Sequence, residues 1–219
     1  MDGPTYLYRD RHVVVLDKPA GLPVHAGPRG GRSVEDWFPQ MSRRDDGPWL
    51  AHRLDADTAG CLAIALRKTT LLTLQVAFAE GRVGKVYWAL VRGRPNGATG
   101  TITTALAKQT KPDGWRMVAD PAGLTAVTDW RVLGTAGDTS WLELRPRTGR
   151  THQVRAHCAL LGTPVLGDPI YGDGDGPLQL LARALTLPLD PPIHAEAPPP
   201  PHMRAGLAAL AQEEPGPKH

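Results

Sequence analysis

Short apolar runs broken by glycine, proline and Asx-type turns dominate this chain, and they predict more strands than helices. Residues 13–16 (VVVL), stopped by Pro19 and Gly21, read as a strand running into a turn. Residues 61–66 (CLAIAL) have the unbroken apolar character of a strand buried on both faces. A β-rich middle follows at 83–91, 99–107, 124–133 and 140–144, punctuated by Asn96-Gly97, Pro112-Asp113-Gly114 and the turn at 134–138. A last strand is predicted at 178–187. Helical spacing is rarer. Ser33 with Asp36 three residues on resembles a capping box opening a short helix through Trp37. Residues 68–80 place Leu71, Leu74, Gln75 and Phe78 on one face, with Thr69 or Thr70 as N-cap and Gly81 as the stop. Residues 151–161 place Val154, Cys158 and Leu161 on one face and end at Gly162.

Beyond Leu187 the chain carries seven prolines between 188 and 201, which predicts a loop or extended wrap, then a short Ala/Leu helix at 203–210 and a polar tail. No internal repeat or linker interrupts the pattern. Helices scattered among hairpins, without βαβ alternation, predict one α+β domain over 1–219, with 188–219 a Pro-rich C-terminal extension.

Composition changes this picture little. A hydrophobic fraction of 41% and a charged fraction of 21% are ordinary for a globular protein of 219 residues. The net charge of +3 and a pI near 9.0 suit a polyanionic partner without identifying one. The 19 Arg against 6 Lys favour phosphate recognition, but an Ala/Arg/Gly/Pro-rich chain equally reflects a GC-rich genome. Cys61 and Cys158 lie in apolar segments and read as buried free thiols in a reducing cytosol. The first residues show no signal-peptide pattern and no apolar run is long enough for a membrane span. A soluble cytoplasmic protein with no membrane partner is expected. Nothing suggests a helical dimer seam, so a monomer is expected.

Several common chemistries are excluded. His194-Ala195-Glu196 lacks the Pro-Cys-x-x-Cys of a zinc deaminase. His152 and His157 are five apart and do not share a helix face. The glycine-rich 27–31 lacks a Gly-Lys-Ser/Thr, and no serine elbow is present. Three clusters remain: HRLDADTAG at 52–60, GKVYWALVRG at 84–93, and the run at 144–172. In the first, Asp55 either pairs locally with Arg53 or is held for chemistry. In the third, Arg145, Arg147, Arg150 and Arg155 gather at a helix start opened by Thr148-Gly149 or Thr151, where backbone amides favour anions. A carboxylate near a strand entrance needs a cationic partner, and this cluster is the obvious source.

Taken in order, the clusters resemble the RluA-type RNA pseudouridine synthases. That family's His-Arg-Leu-Asp-x-x-Thr-Ser-Gly loop is HRLDADTAG here, its Lys-x-Tyr strand is KVY at 85–87, and its Gly-Arg-x-His-Gln-x-Arg-x-His segment is GRTHQVRAH at 149–157, followed by GDPIYG at 167–172. LDKPAGLPVH at 16–25 matches the family's opening, so the likeness runs over roughly residues 6–187, in the manner of its short, stand-alone members. Ala59, Asp17 and Val154 depart from the usual Ser, Asn and Leu/Ile. Arg183 stands where a His-Ala pair is common, which suggests a local difference in RNA contacts.

The resemblance implies a pseudouridine synthase fold: a large mixed, mainly antiparallel sheet flanked by helices and loops. It also implies isomerisation of uridine in ribosomal or transfer RNA, with RNA as the partner and neither metal nor cofactor. It assigns Asp55 as the catalytic carboxylate, Arg155 as the active-site basic residue and Asp55's partner, and Tyr87 as the ring against the uracil. Arg53, with His52 beside it, would contact the opened RNA, and Lys18, Arg145, Arg147 and Arg150 would contact phosphates. Two rival readings are an RNA-binding relative without turnover and an aspartate-dependent hydrolase, for which Asp57 is the only nearby second carboxylate.

Overall fold

A computed structural model of the chain describes residues 3–27, 30–44, 46–112 and 114–212. Along the chain run β1 (Tyr6–Arg9), β2 (Val13–Lys18), a 3-10 turn (Val34–Trp37), α1 (Phe38–Met41), β3 (Trp49–Leu50), β4 (Ala59–Ala65), α2 (Lys68–Ala79) and β5 (Gly84–Arg92). Then come β6 (Thr99–Lys111), β7 (Gly114–Ala119), β8 (Leu124–Ala136), β9 (Thr139–Pro146), α3 (Gln153–Leu160), β10 (Leu180–Leu187), β11 (Ile193–Glu196) and α4 (Pro201–Gln212). The fold is α+β, with mixed but mainly antiparallel strand pairing, as the resemblance implies. Among the described residues, no helix is long and apolar enough to cross a membrane.

The chain divides into two compact units, 1–85 with 181–200 and 86–180 with 201–219. In the first, β2 and β4 are the buried centre. All seven residues of β4 are buried, as are five of the six in β2. This is why both read as continuous apolar runs rather than alternating ones. One edge of β4 pairs antiparallel with β2 from Gly60 to Ala65. The other carries β3 at Ile64 and Ala65 and, in parallel, β10 at Ala59 and Gly60. Gly60 has φ of 108°, and a Cβ there would sit 2.3 Å from the Ala182 carbonyl oxygen, so only glycine permits this approach of the two backbones. The buried face of α2 is Thr70, Leu74 and Ala77. Its N-cap is Arg67, not Thr69 or Thr70: Thr70 packs inward within the first turn, and Gln75 is exposed.

In the second unit β5, β9, β8, β6 and β7 lie side by side, every pair antiparallel. Its core joins Ala89, Val91, Leu142 and Leu144 of the sheet to Val154 and Cys158 of α3. α4 lies on the sheet so closely that a Cβ at Gly134 would meet the Leu210 carbonyl oxygen at 2.4 Å.

Two sequence expectations are corrected here, and two others fall partly outside the described residues. The turn 112–114 opens into a further strand, β7, although Asp113 itself lies outside the described residues. The glycine-rich 27–31 lies in part outside them at 28–29, as does the polar tail beyond 212. The proline-rich 188–201 is not merely a wrap, because it contains β11, which pairs with β10 from Ala184 to Leu187. Arg183 serves that join: its guanidinium donates to the Ala197 carbonyl at 2.8 Å and pairs with Glu196. Both cysteines are buried free thiols, as expected, and burial pushes each up to about 12.

Candidate active site

In the first unit the HRLDADTAG loop leads into β4. Leu54 is buried and anchors it. Asp55 follows, half-buried, and its carbonyl accepts from the Thr58 amide at 3.2 Å, closing a turn over Ala56 and Asp57. The Ala56 carbonyl at the crest of that turn accepts two hydrogen bonds, from the Gly21 amide at 2.9 Å and from Lys18 Nζ at 2.7 Å. Asp55 is therefore fixed by a buried leucine before it and a doubly tied carbonyl after it.

Lys18 does not reach a phosphate, contrary to what the resemblance suggests. It is fully buried, and its ammonium also donates to the Pro19 and Leu22 carbonyls, each at 2.8 Å. Burial pulls it down to about 8, against the nearby Asp57 and Asp55 carboxylates, which favour the charged form. At neutral pH it stays an ammonium and satisfies three carbonyls.

His52 is likewise turned inward. Its Nε2 accepts from the Ala63 amide at 3.0 Å, which places the ring proton on Nδ1, and the ring stacks on Phe78 at 4.7 Å. Burial, with the Lys85 charge, pushes it down to about 4. It is a neutral spacer between the loop and β4, in place of the expected RNA contact. Arg53 and Asp57 are exposed.

In the second unit Tyr87 lies on β5 opposite Leu144, half-buried against the core. Arg155, on α3, is 4% exposed and grips Asp168 in a two-pronged pair: Nε to Oδ2 at 2.8 Å and a terminal nitrogen to Oδ1 at 2.7 Å. Asp168 also accepts the Ile170 and Tyr171 amides at 2.9 and 3.1 Å. Burial alone would raise its pKa, but the guanidinium and the two amides outweigh it and hold the carboxyl below the usual range. Sequence reasoning missed Asp168, although it stands in the quoted GDPIYG. The signal was available: a guanidinium on an apolar helix face needs a buried carboxylate as much as Asp55 needs a cation.

Helix α3 opens at His152, whose φ of 50° makes it the left-handed cap, not at Thr148-Gly149 or Thr151. Its ring stacks on Trp115 of β7 at 4.7 Å and meets the Tyr171 hydroxyl at 3.3 Å. That hydroxyl accepts the Met117 amide at 2.8 Å. Gln153 holds the preceding loop: its amide nitrogen donates to the Val127 carbonyl and Thr128 hydroxyl, and its oxygen accepts from Thr148 and the Arg150 amide. The three outer arginines are exposed. Arg145 pairs with Glu143 at 2.8 Å and Arg147 with Asp129 at 2.7 Å, while Arg150 reaches the Thr125 carbonyl at 3.1 Å. Arg147–Asp129 is a surface pair that contributes little, whereas Glu143 is buried and is also held by Arg131. Among the described residues, no group of three or more His, Cys, Asp or Glu is placed to hold a metal ion.

Fold and motif order together define an RNA-modifying isomerase. The human RNA Pseudouridylate Synthase Domain Containing 4 superposes with a TM-score of 0.80 at 27% identity, over 97% of this chain and 95% of that one. The human RNA Pseudouridylate Synthase Domain Containing 1 gives 0.76 at 30% identity, over 93% and 87%. The chain belongs to the RNA pseudouridylate synthase family, of the RluA type, whose family model matches residues 12–160. It is 40% identical over 203 residues to an uncharacterized RNA pseudouridine synthase of Zymomonas mobilis, covering 88% of this chain and 92% of that protein. It is 35% identical over 191 residues to the Ribosomal large subunit pseudouridine synthase D of Borreliella burgdorferi, covering 82% of this chain and 58% of that protein. Its activity is the isomerisation of uridine in RNA.

Proposed function

We propose that this enzyme converts specific uridines of structured RNA to pseudouridine with Asp55 as the catalytic carboxylate. The observation that carries the assignment is the seating of Asp55 between buried Leu54 and the doubly bonded Ala56 carbonyl. A fixed, half-buried carboxylate is what such chemistry requires. The bond from ribose C1′ to N1 breaks, the ring turns, C1′ bonds to C5, and a proton passes from C5 to the freed nitrogen. The exchange balances without oxidant, reductant or water.

By the family's motifs, Tyr87 lies against the uracil, where stacking contributes about 1–3 kcal/mol per base, and Arg155 is the active-site basic residue. Removing the target base from its stack costs a few kcal/mol. By the same motifs, Arg53, which is exposed, fills the space that the base leaves. Exposed Arg145, Arg147 and Arg150 contact phosphates, which fix register without reading sequence. The name of the Borreliella relative favours large-subunit ribosomal RNA as the first substrate to try, ahead of transfer RNA.

The test compares wild type with Asp55→Asn on ribosomal and transfer RNA from cells lacking the gene, mapping pseudouridine by carbodiimide treatment and primer extension. New stops are expected with wild type alone, the variant being slower by roughly 10³-fold or more. Equal stops with both proteins, or none with wild type on either RNA, would overturn the assignment.

A further inference from the structure

At the end of β4 remote from the Asp55 loop, the first unit holds a recess of about 300 Å³ lined by Arg9, Arg11, Arg44 and Arg67, with Asp10 among them. Among the described residues, four guanidiniums face two carboxylates here, Asp10 and Asp46, the second acting on both Arg44 and Arg67. Asp10 is committed to the His12 and Val13 amides, each at 2.7 Å, and to the Tyr8 hydroxyl at 3.1 Å. Arg44 is held by Asp46 at 2.8 Å. Arg9 donates to the Met41 carbonyl, Arg11 to His12 Nε2 and Arg67 to the Arg11 carbonyl. Among the described residues, these three guanidiniums line the recess without a carboxylate hydrogen-bonded to them.

The start of α2 sharpens the point. Its N-cap is Arg67, Lys68 follows, no side chain caps its amides and no acidic residue stands in its first turn. The positive end of a helix is where cations cost stability and anions gain it. A basic N-cap beside three more arginines breaks the local rule, offset among the described residues only by Asp46 and the Arg11 carbonyl, and such breaks are expected at functional sites. Guanidinium forks fit phosphate oxygens in pairs.

We propose that this recess binds a backbone phosphate of the substrate RNA, away from the uridine being modified; the proposal rests on the RNA activity given above. The seven residues of β4 separate the recess from the Asp55 loop, and at about 3.3 Å per residue that is roughly 20 Å or more. A stem reaching that far is held at both ends of the strand, and a short substrate is not.

The test uses Arg11→Gln combined with Arg67→Ser, a pair of surface changes of which the second supplies a better cap. Binding is measured over a range of salt to two probes, a uridine-containing hairpin loop on a long stem and the same loop on a short stem. The long probe is expected to bind roughly tenfold more weakly, with a salt dependence shallower by about one unit for each phosphate that the variant no longer holds. The short probe is unchanged, and the melting temperature is unchanged or higher. Equal affinity for the long probe, an equal loss with both probes, or a lowered melting temperature would each overturn the proposal. Because binding is read directly, a wild type that bound the long stem through the recess yet formed no pseudouridine would sink the functional assignment alone.

Discussion

Lys18 Nζ donates to the Ala56 carbonyl at 2.7 Å, so a fully buried cation fixes the residue next to the proposed catalytic aspartate. The loop's position depends on a side chain that touches no substrate.

Lys18→Met should retain the fold while freeing the Leu22 and Pro19 carbonyls, at about 1–3 kcal/mol for a buried acceptor left unpaired. A small shift of Asp55 would then lower turnover by up to roughly 10²-fold. Single-turnover rates beside urea melts separate the two effects. A variant as fast as wild type would show that Gly21 alone holds the turn.

The same ammonium has a sign in pH. The unfolded chain keeps this proton up to the ordinary 10.5, whereas the folded chain releases it near 8. Between those values the unfolded state binds more protons, so wild type should gain stability relative to Lys18→Met as pH rises from 8 to 10.5. Paired melts across that range check it, and a falling difference would contradict it.

Two histidines act at the acid end. His52 and His157 are both pushed down from 6.5 to about 4, burial being the leading cause in each. Unfolded, they bind protons below 6.5. The stability that they contribute is complete above 6.5 and lost as pH falls towards 4. His157 Nδ1 meets the Thr128 hydroxyl at 2.9 Å, and that hydroxyl also accepts from Gln153. His157→Gln is expected to flatten the acid limb of a melting-temperature profile.

Asp168→Asn removes the carboxylate that the buried Arg155 guanidinium grips with two prongs. A loss of about 3–5 kcal/mol is expected, measured by denaturant unfolding, and Arg155→Lys should not restore it because an ammonium cannot make the two-pronged contact. A loss below about 1 kcal/mol would mean that Asp168 matters little to stability.

Gly60→Ala and Gly21→Ala make an internal control. Both positions have positive φ, but the space around Gly21 is open while a Cβ at Gly60 meets the Ala182 carbonyl. Gly21→Ala should cost about 1–2 kcal/mol in backbone strain, and Gly60→Ala distinctly more, with the β4–β10 pairing disturbed. Equal costs would remove the close approach as an explanation.

What the sequence reveals follows from how each feature is encoded. β2 and β4 were legible because burial on both faces writes an unbroken apolar run. β7, GWRMVA, was not, because it is a half-exposed strand with a tryptophan and an arginine at its start. β11 was hidden by the prolines around IHAE. The motifs around Asp55 and Arg155 are legible, but the Arg155–Asp168 pair is not, because the sequence points Arg155 to Asp55 instead. The role of Lys18 was not, since its acceptors are backbone carbonyls at 19, 22 and 56 that no side-chain pattern announces. His52 misled for the opposite reason: it belongs to a recognisable motif, yet its ring is spent on the Ala63 amide.

The pairing of β4 with β10 also imposes an order of events. Cys61, one residue past Gly60, and Arg183 are 122 residues apart in sequence but within hydrogen-bond contact. During synthesis the strand that carries the Asp55 loop emerges early and waits with one edge partly uncovered until Leu181 and Ala182 arrive. Contacts of such long range form slowly, and chains halted before them expose an unpaired apolar strand that is prone to associate with others. The edge of β4 next to the loop is thus completed only after most of the protein has been made.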